Sequence, residues 1–319
     1  MLRYYFIGDL HLSDISPRSR IDDYPYTILE KLDFIFDKAK QEDIKAIFFL
    51  GDIFHKPSGL STRYINKVIE SFQKAPCECY TIIGNHDIPY NRVEDVDNTS
   101  LGILFKAGVL KHLRDPYLIA KDIAIFGYDY NTDISFISKP DTVQTGICLS
   151  HSYGEDVSFG SSERAEFFKW SLPNINPFDV YILGHDHSKY QKETIYEHSD
   201  LYRFGALSRL TSATTDTQRS VQIMELVFDQ GLFNFNLLDV KYKPANECFS
   251  THSLNKEKIN TVDFNSSLED VLSNLNFTIQ SSVFDIIDEI VEDDKIKQVI
   301  ENYLKNNFIE RHKGEASGQ

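Results

Sequence analysis

Several features that mark other classes of protein are missing from this sequence. Its 319 residues include only 4 cysteines, and their spacing gives neither a disulfide framework nor a cysteine-based zinc site. No stretch carries the roughly 20 apolar residues that a membrane helix needs, and no basic and apolar leader precedes the first predicted strand. Internal repeats and low-complexity tracts are also lacking. These absences predict a soluble, cytoplasmic protein with no membrane partner.

Basic residues are outnumbered, since 33 Lys and Arg face 48 Asp and Glu, for a formal net charge of −15. This balance argues against unaided tight binding to nucleic acid, because duplex binding depends on neutralising phosphates. It does not exclude a DNA substrate. Bound divalent cations add positive charge at the site itself, and a partner can supply more.

One pattern occurs five times along the chain: an apolar strand that ends directly in Asp, Asn or His. These strand ends lie at residues 6–11, 47–55, 82–87, 148–151 and 182–187. Helical periodicity between the first three predicts βα repeats and a largely parallel sheet with right-handed crossovers. Ligands bind at the carboxyl edge of such a sheet, so we expect these polar side chains to meet there.

The remaining patterns give a coarse map of the elements. Helices are predicted at 25–41, from Ser61 onward, at 98–113 and near 162–171, and a strand is predicted at 118–126. Beyond residue 187 the pattern changes to antiparallel strands at 201–204, 221–228 and 232–240.

The strand ends supply a mixed set of oxygen and imidazole ligands: Asp9, His11, Asp52, Asn85, His151, His185 and His187. This mixture suits Mn²⁺, Fe²⁺ or Zn²⁺. Seven ligands exceed one tetrahedral ion, but they suit two ions about 3.5–4 Å apart that share a carboxylate. Two ions held in this way polarise a phosphoryl group, so the predicted reaction is phosphoester hydrolysis.

Other polar residues near these strand ends receive separate predictions. His86 stands beside Asn85 and can act as a general acid or as a cation facing the developing charge. Asp87 is predicted to orient the loop or its ligands by hydrogen bonds. His112, His198 and His252 lie outside the pattern, and we interpret them as ordinary surface or packing histidines.

The motifs together resemble the calcineurin-like metallophosphoesterase superfamily. Asp-x-His, Gly-Asp, Gly-Asn-His-Asp, a lone His and Gly-His-x-His all occur in order between residues 8 and 187. The resemblance implies the α/β class, with a metallophosphoesterase β-sandwich flanked by helices. It also implies that one metal is held by Asp9, His11, Asp52 and His187 and the other by Asp52, Asn85, His151 and His185, with Asp52 as the bridge.

Two segments narrow the resemblance. Gly-Asp-x-Phe-His at 51–55, followed by Pro57, and the segment 202–212 are similar to SbcD-type nuclease subunits of double-strand-break repair complexes and to phage recombination nucleases. The Asp and Arg with which serine/threonine phosphatases continue the Gly-Asp motif are absent. The resemblance implies an exonuclease on duplex ends and an endonuclease on single strands, which would act in the host cytoplasm if a phage encodes the protein. Mn²⁺ is the expected metal, with Mg²⁺, Fe²⁺ or Zn²⁺ as other occupants.

By the same resemblance, His55 and His86 are catalytic without binding metal. His55 would place the duplex end or the scissile phosphate, and His86 would assist the leaving oxygen. Candidate phosphate contacts near the site are Arg18, Arg20, Lys56, Arg63, Arg92, Lys189, Arg203 and Arg209.

The predicted organisation is a catalytic domain at 1–243, a linker at 244–264, a small C-terminal helical region at 265–313 and a disordered tail at 314–319. By the resemblance, helices near 61–75 and 98–107 form a homodimer. The C-terminal helices would dock an SbcC-type ABC ATPase or form a reduced cap. Two alternatives stay open: a metallophosphatase or cyclic-nucleotide phosphodiesterase of the same superfamily, and a metal-free scaffold subunit.

Overall fold

The computed structural model describes residues 1–156, 167–187 and 190–250. Within these ranges the strands are β1 Leu2–Ile7, β2 Ala46–Phe49, β3 Glu78–Thr81, β4 Lys111–His112, β5 Tyr117–Ala120, β6 Ile123–Tyr128, β7 Thr145–His151, β8 Tyr153–Gly154, β9 Phe167–Phe168, β10 Val180–Gly184, β11 Gln191–Ile195, β12 Ser199–Arg203, β13 Gln222–Asp229 and β14 Leu232–Asp239. The α-helices are α1 Tyr24–Gln41, α2 Thr62–Phe72, α3 Ser100–Lys106, α4 Thr214–Thr217 and α5 Ala245–Cys248.

Most of these strands belong to two sheets of six strands each. The first sheet has the order β14-β13-β1-β2-β3-β4, and the second has the order β11-β12-β10-β7-β6-β5. Strands β1 to β4 run parallel, as the βα repeats predict, while β13 joins β1 antiparallel. In the second sheet β6, β7, β10 and β12 are parallel, and β5 and β11 are antiparallel edge strands.

The alternation of side chains along the strands builds the layers. In β1, Tyr5 and Ile7 pack beneath the helices, whereas Tyr4 and Phe6 face the second sheet. Leu149 of β7 meets them in the core between the sheets, and its neighbour Cys148 points to the outer face. The α/β class and the predicted β-sandwich flanked by helices are therefore confirmed.

The first two helices begin where the sequence places capping residues. Asp23 accepts a hydrogen bond from the backbone N–H of Tyr26 at the start of α1, and Ser61 accepts one from Tyr64 at the start of α2. Such caps satisfy backbone donors that the first helical turn leaves without partners. Both helices confirm the sequence prediction.

Three predicted elements differ from the structure. The strand at 118–126 is a hairpin, β5 and β6, because the charged pair at 121–122 forms a turn. The helix at 98–113 ends at Lys106, since Gly108 adopts a left-handed φ of 71°. The prediction of a helix near 162–171 is wrong for residues 167–171, because these residues form β9 and a turn. Residues 162–166 lie outside the described residues.

The region after residue 187 also differs in detail. The strand predicted at 201–204 as antiparallel is β12, which pairs in parallel with β10 and antiparallel with β11. The sequence interpretation did not identify β11. The hairpin of β13 and β14 is as predicted, with Gln230 and Gly231 at its tip.

The described chain continues past residue 243 into the segment predicted as a linker. There α5 is followed by Phe249, which is fully buried and pairs with Arg20 in an isolated bridge. The predicted helical region at 265–313 and the tail at 314–319 lie outside the described residues. Among the described residues, no helix combines the length and apolar character needed to cross a membrane.

Candidate metal centre

The structure brings all seven predicted ligands together at one end of the sandwich. The first sheet contributes four of them from the loops after β1, β2 and β3: Asp9, His11, Asp52 and Asn85. The second sheet contributes the last residue of β7 and the loop after β10: His151, His185 and His187. The carboxyl ends of the parallel strands in both sheets thus face one another across the site.

Asp52 lies at the middle of this group. Its Oδ1 atom accepts a hydrogen bond of 2.9 Å from the backbone N–H of His86. Its Oδ2 atom lies 3.5 Å from His11 Nε2 and 3.4 Å from His151 Nε2. One carboxylate oxygen therefore sits between imidazoles from both sheets, as a bridging ligand requires.

Asp9, His11 and His187 form one side of the site. The Nε2 atoms of His11 and His187 are 2.9 Å apart, and His187 Nε2 is 3.4 Å from Asp9 Oδ2. The ligand atoms of His11, Asp52 and His187 all lie within 4.8 Å of one another. Two imidazole nitrogens this close must share a proton or direct their lone pairs at a common cation, so these residues fit a metal ion.

The other side of the site is formed by His151, His185 and Asn85. Asn85 Oδ1 is 3.1 Å from His151 Nε2, and the ligand atoms of Asp52, His151 and His185 lie within 4.8 Å of one another. His151 Nδ1 is 2.6 Å from the carbonyl oxygen of Leu50. A carbonyl only accepts, so Nδ1 carries the proton and Nε2 is the nitrogen left to bind a metal.

Burial and mutual charge control the protonation of these groups. Burial raises the pKa of Asp9, although His151 and His187 oppose the shift. Burial alone would also raise the pKa of Asp52, but the imidazoles of His151 and His86 outweigh it, and the pKa falls well below its ordinary value. The pKa of His151 is raised to about 9, because Asp52 and Asp9 overcome the effect of burial. The buried carboxylates thus create a field that favours a cation.

The backbone at several of the predicted ligands adopts an unusual conformation. His11, Asp52 and His185 have left-handed φ angles of 48°, 48° and 78°. Non-glycine residues rarely adopt this region, and such strain concentrates at functional sites. Gly84 is required for a different reason, since a Cβ atom there would lie 2.1 Å from Asp52 Oδ1.

His55 and His86 stand together at the edge of the ligand group. Their rings are stacked at 5.5 Å with an interplanar angle of 14°, and the ring of His86 lies 4.8 Å from that of His11. His86 Nδ1 is 2.9 Å from the carbonyl oxygen of His55, which makes Nδ1 the donor. Burial and the neighbouring His86 lower the pKa of His55 to about 4, so His55 is neutral at neutral pH.

Asp87 has the orienting role predicted for it. Its carboxylate accepts hydrogen bonds of 3.0 Å from the backbone N–H groups of Phe54 and Gly84. It thereby ties the loop after β2 to the loop after β3. Burial, followed by repulsion from Asp52, raises the pKa of Asp87 to about 7.

Sequence reasoning missed two aromatic residues at the site. The ring of Tyr153 lies 3.9 Å from that of His185. The ring of Tyr130 lies 5.5 Å from His185 and 6.1 Å from His151. No motif marks either tyrosine, because their position depends on how the second sheet packs.

The candidate phosphate contacts fall into separate groups. Arg18, Lys56, Arg63 and Arg92 are exposed, and Arg92 also pairs with Glu94 and Asp95 at 3.3 and 3.2 Å. Lys189 lies outside the described residues. The other three candidates, Arg20, Arg203 and Arg209, are buried. Their burial does not agree with the prediction that they contact phosphate.

Internal partners explain the burial of these three arginines. Arg203 forms a two-pronged pair with Asp156, with both distances 2.9 Å, and also contacts Glu193 and Asp186. Arg20 pairs with Asp22 and donates to the carbonyl of Arg209. The side chain of Arg209 donates to Lys243 and Cys248. Because these three guanidinium groups are buried, they are not surface cations available to phosphate, and Nε and Nη1 of Arg209 have no hydrogen-bond partner among the described residues.

Comparisons with known proteins agree with this geometry. The family described as Calcineurin-like phosphoesterase matches residues 2–189. The chain therefore belongs to the calcineurin-like phosphoesterase family of hydrolases, which use a dimetal centre.

Two known proteins illustrate the similarity. The "DNA double-strand break repair protein Mre11" of Nanoarchaeum equitans is 24% identical over an alignment 220 residues long, which covers 60% of this chain and 58% of that protein. The chain thus matches little more than half of that relative's length. A dimetal phosphatase from Danio rerio has a TM-score of 0.50 at 11% identity, covering 76% of this chain and 99% of the phosphatase. That structure supports the fold alone.

Proposed function

We propose that this chain is a Mn²⁺-dependent DNA nuclease subunit that hydrolyses phosphodiester bonds at duplex ends and in single strands. The observation that carries the proposal is the placement of His55. It is stacked on His86, and their ring nitrogens lie within 4.8 Å of each other and of His11. The Gly-Asp-x-Phe-His motif thus has a second histidine beside the proposed metal ligands, and we assign catalytic roles to His55 and His86 rather than metal binding. The similarity to a DNA repair protein supports the same assignment.

The chain's own residues divide the work of hydrolysis. Two bound divalent ions would polarise the phosphoryl group and favour attack by water. Asp52 would bridge the two ion positions, and the remaining ligands would fix each position separately. The Nδ1–H of His86 stays bonded to the carbonyl of His55, so His86 would give a proton from Nε2 to the leaving oxygen when its ring carries protons on both nitrogens.

His55 has a different task in this proposal. Because its pKa is lowered to about 4, it acts through hydrogen bonds rather than as a cation. Its Nδ1 atom is buried without a hydrogen-bond partner in the described part of the chain. His55 would hold the ring of His86 and position a duplex end, which only the exonuclease reaction requires.

The partners belong to the proposal as well. The predicted dimer helices correspond to α2 and α3, and α3 exposes Ile103 at 44%. DNA is the proposed substrate, and an SbcC-type ATPase would dock the C-terminal helices predicted at 265–313. With a net charge of −15, the chain would rely on that partner for cationic surface. The proposed setting is DNA repair and recombination in the cytoplasm.

Substituting His55 and His86 separately tests the division of roles. We expect His86→Ala to lose both exonuclease and endonuclease activity in Mn²⁺, by about 100-fold or more, as loss of a general acid does. His55→Ala should lose mainly exonuclease activity. His198→Ala, an exposed histidine far along the sequence, is the control. Equal losses in the two histidine variants would disprove the division of roles.

Two further outcomes would favour the alternatives. A protein that cuts no linear or single-stranded DNA but hydrolyses phosphomonoesters or cyclic nucleotides is a metallophosphatase or phosphodiesterase. A protein that retains less than about one ion per chain after dialysis, without rescue by Mn²⁺, is a scaffold, because every dimetal mechanism needs bound ions.

A further inference from the structure

His112, set aside as an ordinary histidine by the sequence, lies on a hydrogen-bonded chain that leads to the metal centre. His112 ends β4 at the edge of the first sheet, and Asp129 follows β6 in the second sheet. His112 Nε2 is 2.9 and 3.0 Å from the two carboxylate oxygens of Asp129. This contact therefore joins the two sheets on the side where Asn85 lies.

Arg114 fixes the proton on the His112 ring. Arg114 Nε donates a hydrogen bond of 2.8 Å to His112 Nδ1. An arginine nitrogen only donates, so Nδ1 is the acceptor, and Nε2 carries the ring proton and donates a hydrogen bond to Asp129. The ring of Phe105 is stacked on His112 at 5.6 Å and 6°, which restricts rotation of the imidazole.

The chain then reaches the backbone of Ile83 at the end of the third strand region. Asp129 Oδ1 accepts a hydrogen bond of 2.8 Å from Ile83 N–H, and the N–H of Tyr130 donates one of 2.8 Å to the Ile83 carbonyl. Both polar groups of Ile83 are thus held by consecutive residues of the second sheet. The next residues along the chain are Gly84 and the ligand Asn85.

A displacement of Ile83 would also displace residues of the metal centre, because the loops there are tightly packed. A Cβ atom at Gly84 would collide with Asp52, so these loops are already in close contact. Tyr130, which shares the contact with Ile83, places its ring against His151 and His185. One junction therefore supports Asn85, His151 and His185, which are the ligands proposed for a single metal.

We propose that His112 is a positioning residue for that second metal, acting with Arg114 through Asp129 and Ile83. The inference rests on the proposed ligand assignment and does not depend on DNA being the substrate. Hydrogen-bonding groups behind metal ligands commonly change metal affinity by about 10- to 100-fold when removed. The other metal, held by Asp9, His11, Asp52 and His187, should be nearly unaffected.

Calorimetric titration of the full metal-free chain with Mn²⁺ tests the proposal. We expect two ions in the wild-type protein. In His112→Ala, one site should weaken by about 10-fold or more, while the other changes less than about threefold. His112→Gln should restore both sites, because its amide can donate to Asp129 in place of Nε2. His198→Ala, an exposed histidine between β11 and β12, should behave as wild type.

Electron paramagnetic resonance gives a second readout that overall stability does not control. The coupled signal of a Mn²⁺ pair should fall by about half or more in His112→Ala at metal concentrations that only just saturate the wild-type protein, and it should return in His112→Gln. If His112→Ala does not fold, His112→Phe replaces it, because a phenyl ring keeps the stacking on Phe105 but cannot donate to Asp129.

Several results would overturn the proposal. Unchanged affinity at both sites would do so, and so would equal weakening of both sites in the alanine variant. Failure of His112→Gln to rescue would show that the ring acts only by packing. A wild-type chain that binds fewer than two ions would remove the ligand assignment and this inference together, whereas two ions without nuclease activity would contradict only the nuclease proposal.

Discussion

Replacing Gly84 by alanine tests the metal centre by geometry alone. The added Cβ atom would lie 2.1 Å from Asp52 Oδ1 and 2.3 Å from the Asp52 backbone nitrogen. Non-bonded heavy atoms prefer separations of about 3.5 Å. The loops after β2 and β3 must therefore move apart by more than about 1 Å, and Asp52 cannot keep its place between His11 and His151.

The size of the effect follows from this displacement. A misplacement of about 1 Å in a catalytic arrangement can reduce the rate about 100-fold, which corresponds to about 2.7 kcal/mol in the activation free energy. We expect Gly84→Ala to lose at least this much activity. Overpacking should also lower the free energy of unfolding by about 1–3 kcal/mol.

The assay combines Mn²⁺-dependent hydrolysis of DNA and of a chromogenic phosphodiester with calorimetric Mn²⁺ binding. Gly231→Ala is the matched control, since Gly231 has a φ of +84° at the hairpin tip and a Cβ atom there would meet nothing within 4 Å. It adds the same methyl group without the collision, and it also adds a backbone strain that Gly84, with a φ of −93°, does not have. If Gly84→Ala binds two ions and keeps activity within about threefold of wild type, the dimetal assignment of Asp52 is wrong, because a displacement of about 1 Å should cost far more.

Two other predictions concern charge. Burial, followed by repulsion from Arg209, lowers the pKa of Lys31 well below its ordinary value. Below the ordinary lysine pKa, the unfolded chain therefore binds a proton that the folded chain does not bind. The free energy of unfolding should then fall as the pH drops. Denaturant unfolding of wild type and Lys31→Met between pH 7.5 and 10 should show a free-energy difference that grows with pH by up to about 1.4 kcal/mol per unit; a constant difference would contradict this. Duplex binding by the isolated chain should be weak and fall with salt, and Arg63→Ala should reduce the slope of log affinity against log salt by about one. If the DNA affinity measured by fluorescence anisotropy does not depend on salt, the exposed cations do not contact the phosphates.

Much of the site could be predicted because its signals are local. Each predicted ligand closely follows an apolar strand, and parallel strands place their carboxyl ends at a common edge. The helices α1 and α2 were predictable for a similar reason, since a capping residue and a periodic apolar face are encoded within one segment. The family and the α/β class depend on these local patterns.

Elements whose form depends on distant neighbours were harder to predict. The strand at 118–126 was not recognised as a hairpin, because an edge pair such as β5 and β6 depends on a turn of only two residues. β12 combines a parallel and an antiparallel partner, and no periodicity within the strand distinguishes these neighbours. Arg203 and Arg209 were predicted near phosphate because a sequence does not show burial.

The sequence by itself determined which residues can bind metal and in which order they occur. Only the tertiary structure decided how they meet: the Nε2 atoms of His11 and His187 are 2.9 Å apart although 176 residues separate them in the chain. It also decided that Asp52 lies between imidazoles of both sheets and that His112 joins those sheets through Asp129. The physical reason is that ligand type is a property of one side chain, whereas distance and burial arise from the packing of two sheets against each other.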